Sequence, residues 1–452
     1  MIGFLGLMLS LGLLMWMALR GVNIILAALI CTLLVILTNG LPLAESLKDG
    51  FTFGKLGAFS FAGQFFLLFA AGAAFGRVMG ESHAATSIAM TMLEKLGKER
   101  VLWITVLACA ALTYGGVVVF VVIFAMYPLG LRLLKETDVP KRLLVGALAL
   151  GAGTFTLTAL PGTPSIHNVI PSAKLGTDLF AGAWLGLIGG AIMLDLGMWW
   201  LERERLKARA AGEGFVAGPK DVIPDLSAVE KDLPPWTFAS LPLVLVIATI
   251  LAPRLMTLSG LGADLPLVKF ALSQPILWPS IALFLGSLLA LALFPLVRRE
   301  PLRVLGEGAQ DSIMPLMATS VVIGFAGVVA KTASFKAFTT AIVEAGVHPL
   351  ISMFAAISTI SGITGSASGG LRIFMETMAD AFLAKGVDPA ELHRLVAMAS
   401  GGFDSLPHCG AVIATLTITG LTHREAYREI GVTTVIIPVI ATLVALALAI
   451  LF

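Results

Sequence analysis

Asp404 and His408 stand four positions apart in FDSLPHCG (403–410), within an otherwise apolar stretch. An ionisable group held at membrane depth is costly, so its presence points to proton or ion handling. If helix persists through the stretch, the i, i+4 spacing puts both side chains on one face. Ser405 adds a hydroxyl between them. A second polar cluster lies in TFTLTALPGTPSIHN (154–168), which holds Thr156, Thr158, Thr163, Ser165, His167 and Asn168. Prolines in both stretches remove a backbone donor and kink a helix. The chemistry on offer is ligand binding and proton transfer. The six histidines form no HxxxH or HExxH pair, so neither a metal site nor another cofactor is expected. An embedded enzyme would need such a cluster or a nucleophile–base pair at depth.

Two further apolar stretches are broken by small residues. LTYGGVVVFVVIFAMYPLG (112–130) carries Thr113, Tyr114, Gly115 and Gly116 at its break. ITGSASGGLRIF (363–374) carries Thr364, Gly365, Ser366, Ser368, Gly369 and Gly370. A helix that restarts after such a break presents free N–H groups and the positive end of its dipole, which favour an anion. The hydroxyls can bond a carboxylate or a substrate hydroxyl, and the glycines let backbone approach it. Close helix packing explains either break alone; two at equivalent places favour a site. Arg372, just beyond the second break, can pair with an anionic ligand or with Glu376 at i+4.

These residues need a membrane around them. The 452-residue chain is 58% hydrophobic and 13% charged, with mean hydropathy +0.95. A soluble domain is nearer a quarter charged. Stretches such as 22–39, 57–76 and 432–452 are long enough to cross a hydrocarbon layer of roughly 30 Å. The reading is an all-α polytopic membrane protein in the inner cell membrane, not a barrel of short alternating strands. Net charge is +2, and no nucleic-acid partner is expected. Cys31, Cys109 and Cys409 lack CxxC spacing, which argues against a disulfide framework or zinc. Residues 1–19 lack a basic start and a cleavage site and read as a retained helix. Met90, Met92, Phe65 and Phe66 read as apolar filling, and Asp195 as a local cap or pair.

The chain divides into a first half (1–201), a mixed-charge cytoplasmic linker (202–235) and a second half (236–452). Each half shows the same order: a span ending in a basic residue (Arg77, Lys331), a short amphipathic helix, a Gly-broken stretch, and a span with Leu-Pro (160–161, 406–407). Shared order is the mark of duplication. Basic residues flanking spans prefer the cytoplasm. With both termini outside, Arg20, Arg77, Lys95, Lys98 and Arg100 fall inside, as do Arg132, Lys135, Lys141 and Arg142. The stretch 101–134 then begins and ends inside, so it must dip in and return. The stretch 349–383 begins and ends outside. The expected fold is two inverted-topology repeats, each with a re-entrant hairpin and a broken transmembrane helix. This topology places basic residues inside over outside by roughly two to one.

The pieces GVVVFVVIFAMYPLGLRLLKET (116–137), LPGTPSIHNVIPSAKLGTDL (160–179), GFAGVVAKTASF (324–335) and GSASGG (365–370) resemble the gluconate:proton symporter (GntP-type) permease family, within the larger ion-transporter superfamily. The resemblance covers most of the chain. It implies import of gluconate, related sugar acids, D-serine or short hydroxy acids, an elevator-type movement of one domain against a scaffold, and a homodimer. One departure stands out. The family's first hairpin usually carries aromatic-Glu-Val/Ile-Gly, where this chain reads Tyr114-Gly115-Gly116-Val117. Asp404 is the candidate to replace that acid in proton coupling, and a smaller monocarboxylate such as 3-hydroxybutyrate or lactate joins the expected substrates. The expected function is a secondary active proton symporter for a small organic anion. Sodium coupling and a passive anion channel are the alternatives.

Overall fold

The computed structural model describes residues 2–452 other than 118, 219–220, 222–232, 261 and 263. Much of the expected linker therefore lies outside the described residues. The described regular elements are helical. Among the described residues, six helices are long and apolar enough to cross a bilayer: Ile2–Leu19, Ala58–Glu81, Ala183–Ala210, Trp236–Ser259, Pro301–Val329 and His423–Leu451. A seventh arises if Pro266–Ser273 and Leu277–Leu293, bent by 108°, count as one span. That bend was not legible as such; Gln274, Pro275 and Ile276 separate the two pieces, and proline disfavours helix in the residue before it. Leu5, Leu37, Leu67, Leu255 and Phe284 present exposed apolar surface, which a bilayer accommodates and water does not.

Local sequence sets the helix ends. The Asn23 side chain accepts from Ile25 N–H at 2.9 Å, and Asp388 accepts from Ala390 at 2.8 Å and Glu391 at 3.1 Å, each capping a helix start. Thr422 and Glu425 form a capping box. The final helix of the first half continues to Ala210, because ERERLKARA is rich in strong helix formers.

The helices pack in two groups, and both halves contribute to each. Ile2–Leu19, Ile24–Thr38 and Ala58–Glu81 pack with Trp236–Ser259, Leu277–Leu293 and Ile313–Val329. The second group holds the two Gly-broken hairpins, the two broken spans, and the final helices of each half, which pack on one another. The halves also match in partner choice. Each hairpin's entry arm (Val101–Tyr114; Pro349–Thr364) packs on its own half's broken span, Lys141–Gly153 or Pro389–Ser400. Each exit arm (Val119–Thr137; Ala367–Thr377) packs on the helix after the other half's break, Gly410–Thr419 or Ile166–Leu175.

Ion pairs between segments sort onto two faces. Arg77 with Asp311 (2.7 Å), Arg303 with Glu81 (3.0 Å) and Arg142 with Glu213 and Glu429 join segments that the charge pattern places on one side. Arg254 with Asp178 (2.7 Å), Lys174 with Asp380 (3.0 Å) and Lys331 with Glu45 (3.6 Å) join segments assigned to the other.

Candidate functional site

The first tip closes as a Schellman turn. Val117 N–H donates to Leu112 C=O and Gly116 N–H to Thr113 C=O, each at 3.0 Å. Gly116 has φ +95°, and a Cβ there would lie 2.5 Å from a Leu283 methyl, so only glycine fits. Behind the tip, the Thr113 and Thr156 hydroxyls bond each other at 2.8 Å. Tyr114 donates its hydroxyl to Pro161 C=O at 2.8 Å.

The second tip turns at Gly365, φ +58°, where a Cβ would lie 3.0 Å from the His408 ring. The Ser366 hydroxyl caps the exit arm, accepting from Gly369 N–H at 3.2 Å, and lies 3.4 Å from the Ser368 hydroxyl. Thr364 Oγ1 donates back to Ile360 C=O at 2.9 Å. His408 Nε2 donates to Gly362 C=O at 2.9 Å. The Asp404 carboxylate accepts from the Ser405 hydroxyl at 3.0 Å and faces the backbone N–H of Ala367, the first residue of the exit arm. The acid therefore sits where an anion would bind.

One expectation is corrected. Asp404 and His408 do not share a helix face. Phe403–Ser405 is a single 3-10 turn and residues 406–409 are not helical, because Gly401-Gly402 and Pro407 end the preceding helix and prevent its renewal. The two are brought together by the hairpin, which each touches separately.

Each tip seats on the break of its own half, and the two breaks meet. A Cβ on Gly401 would lie 2.7 Å from the Thr158 methyl. The first tip also faces Leu243 and Leu283 of the opposite packing group, and the second faces Val322 and Phe65, whose ring lies 5.9 Å from the Arg372 guanidinium. The expected site residues thus lie on the two tips and the two breaks, and each tip faces the other helix group. A protein-family model described as GntP family permease matches residues 2–451. The chain belongs to this family.

This permease is 38% identical over 450 residues to the Bacillus subtilis (strain 168) protein named Uncharacterized transporter YxjC, with 95% of each chain covered. It is 26% identical over 347 residues to the Gluconate permease of Pseudomonas aeruginosa, covering 72% of this chain and 68% of that one. Among solved structures, the Alcanivorax borkumensis YdaH transporter is similar in fold, with TM-score 0.54, 13% identity, and 86% and 85% of the two chains covered. The protein is a transporter and not an enzyme.

Within the permease, many of the expected residues hold the breaks together. Thr158 donates to Thr154 C=O at 3.2 Å, Ser165 to Leu157 C=O at 2.6 Å, and Thr156 to Gly151 C=O at 3.1 Å. Asn168 is fully buried; its amide donates to Thr163 C=O (3.0 Å) and Leu179 C=O (2.8 Å). Its oxygen is left to accept from His393 Nε2 at 2.7 Å, so His393 Nδ1 accepts from the Thr177 hydroxyl at 2.7 Å. Capacity remains elsewhere. Thr163 Oγ1, His167 Nδ1 and Arg372 Nε are buried without a protein partner, although Arg372 also pairs with Glu376 at 3.2 Å. A buried polar atom without a partner calls for a ligand or water.

Arg394 was not singled out in the sequence. It is fully buried. Its guanidinium donates to Ala159 C=O (3.1 Å), Leu179 C=O (3.1 Å) and Ala181 C=O (3.0 Å). It supplies from the second half the donors that the first break lacks. At the second break, His423 Nε2 donates to Pro407 C=O at 2.7 Å and Tyr427 donates to Ser405 C=O at 3.2 Å. The one available signal for Arg394 was a cation within the apolar run LVAMAS that follows it.

Proposed function

We propose that this permease imports a small organic anion, a sugar acid or a short hydroxy monocarboxylate, together with a proton. The observation that carries the reading is the second tip, where Asp404 faces the N–H of Ala367 at the start of a half-helix. A substrate carboxylate would bind the same N–H groups. While Asp404 is charged the two anions compete; protonation removes that competition and leaves the tip to substrate. Proton and substrate thereby load together. Thr163, His167 and Arg372, with unpartnered buried atoms, are the polar groups that would meet the substrate beside Ser366, Ser368 and His408.

The matched packing of the two halves supports inverted repeats, with the hairpin group moving against the other group as each tip uncovers the site to its own side. The termini lie outside in this reading, and the Gluconate permease relative supports the substrate class.

The test is uptake of labelled gluconate and 3-hydroxybutyrate by proteoliposomes, with a panel of unlabelled acids as competitors. Ser366→Trp and Thr113→Trp are expected to abolish uptake while the protein still inserts and purifies as a single species. Wild-type uptake in either variant would remove that tip from the site. Indifference of wild-type uptake to every carboxylate would end the organic-anion reading.

A further inference from the structure

Between the final helix of the first half and Trp236, Asp221 makes buried contacts that a passive tether does not need. The Asp221 side chain is 2% exposed and that of Lys141 6%. Lys141 Nζ donates to both Asp221 oxygens at 2.8 and 2.7 Å. Gly218 N–H donates to Asp221 Oδ2 at 2.7 Å. The Tyr127 hydroxyl lies 2.8 Å from Asp221 Oδ1 and 2.8 Å from Thr419 C=O. Nearby, Arg142 forks onto the two Glu213 oxygens at 2.8 Å each, and Phe215 N–H donates to Asp138 at 2.8 Å. Desolvating an ion pair is costly unless its geometry and further hydrogen bonds compensate. Here Lys141, Gly218 and Tyr127 supply that compensation.

These contacts converge on moving parts. Tyr127 belongs to the exit arm of the first hairpin, Lys141 and Arg142 begin the first broken span, and Thr419 ends the helix after the second break. We propose that Asp221 acts as a strap that holds the exit arm of the first hairpin against the Thr419 helix end and so keeps that hairpin shut. For the first hairpin to swing away, Tyr127 must leave Asp221 or Thr419. The strap therefore limits opening of the site on its own face, a role that rests on the gating function proposed for the hairpins. Burial pushes the Asp221 carboxylate up, but hydrogen bonds from Lys141, Gly218 and Tyr127 outweigh it and hold it below the ordinary carboxylate range. A depressed carboxylate keeps its pairing above its ordinary value and loses it only as pH falls through the depressed one, so the anchor persists at neutral and mildly acidic pH.

The test places a reporter at the tip. Val117→Cys is introduced with Cys31, Cys109 and Cys409 replaced by Ser, and labelling by a membrane-impermeant maleimide is timed in inverted and right-side-out vesicles. Asp221→Ala and Tyr127→Phe are expected to speed labelling from the strap's face by about tenfold, the size set by losing one charge-assisted hydrogen bond, and to leave the other face unchanged. Tyr127→Phe removes one oxygen, so it decides the matter if Asp221→Ala fails to purify intact. Unchanged labelling in Tyr127→Phe, or equal acceleration on both faces, overturns the strap. Labelling needs no substrate, so this outcome is independent of whether organic acids are transported.

Discussion

Asp404→Asn proteoliposomes are expected to equilibrate substrate across the membrane but never to accumulate it. Asparagine keeps the shape of the side chain and an oxygen for the Ala367 N–H, so the tip remains formed. It carries no charge to compete with a substrate carboxylate and no site for the coupling proton. Exchange of internal for external substrate should persist. Uphill uptake should vanish. The size of the loss follows from the gradient: one pH unit supplies about 1.4 kcal/mol per proton, or about tenfold accumulation for one proton per monoanion. An Asp404→Asn protein that still accumulates substrate tenfold would place proton coupling elsewhere. Asp404→Glu tests geometry instead. It retains the proton site on a longer arm, so coupled uptake should fall in rate and keep its final ratio.

Arg394→Met should be the most damaging single change in the hairpin group. Methionine fills similar apolar volume but supplies no donor. The carbonyls of Ala159, Leu179 and Ala181 would be left buried without partners, and each orphaned buried carbonyl costs about 1–3 kcal/mol. Arg394→Lys should recover only part of this, because one ammonium cannot span carbonyls arranged around a planar fork. The measurement is the melting temperature of purified protein, paired with uptake. The expected order is wild type, then Lys, then Met, in both. A Met variant as stable as wild type would show that water reaches the break and satisfies those carbonyls instead.

The breaks were legible in the sequence because their causes are local. Gly115-Gly116, Gly365 and Pro161 leave few backbone choices, and the structure ends helices at Tyr114, Thr364 and Thr158. What satisfies each break was not legible. Arg394, His423 and Tyr427 act on carbonyls far away in sequence, and nothing in their own neighbourhoods indicates which ones. Asn168 illustrates the reverse difficulty. Its type and place fit a substrate contact, yet two carbonyls take both of its amide hydrogens and His393 takes a lone pair of its oxygen. The pairing of Asp404 and His408 by helical spacing failed for a related reason, since the chain leaves the helix between them. The contacts of Glu213 and Asp221 were hidden by composition, because a mixed-charge segment reads as solvated whether or not its charges are paired.

Proton-driven accumulation tests the coupling role of Asp404 most directly. Wild-type proteoliposomes would be given labelled gluconate or 3-hydroxybutyrate, an inward proton gradient, and no sodium. The expected result is uphill accumulation of at least one of the acids, collapsing on addition of an uncoupler. Flux that stops at equilibrium, or accumulation that appears only when sodium is supplied, would contradict proton symport and with it the coupling role of Asp404.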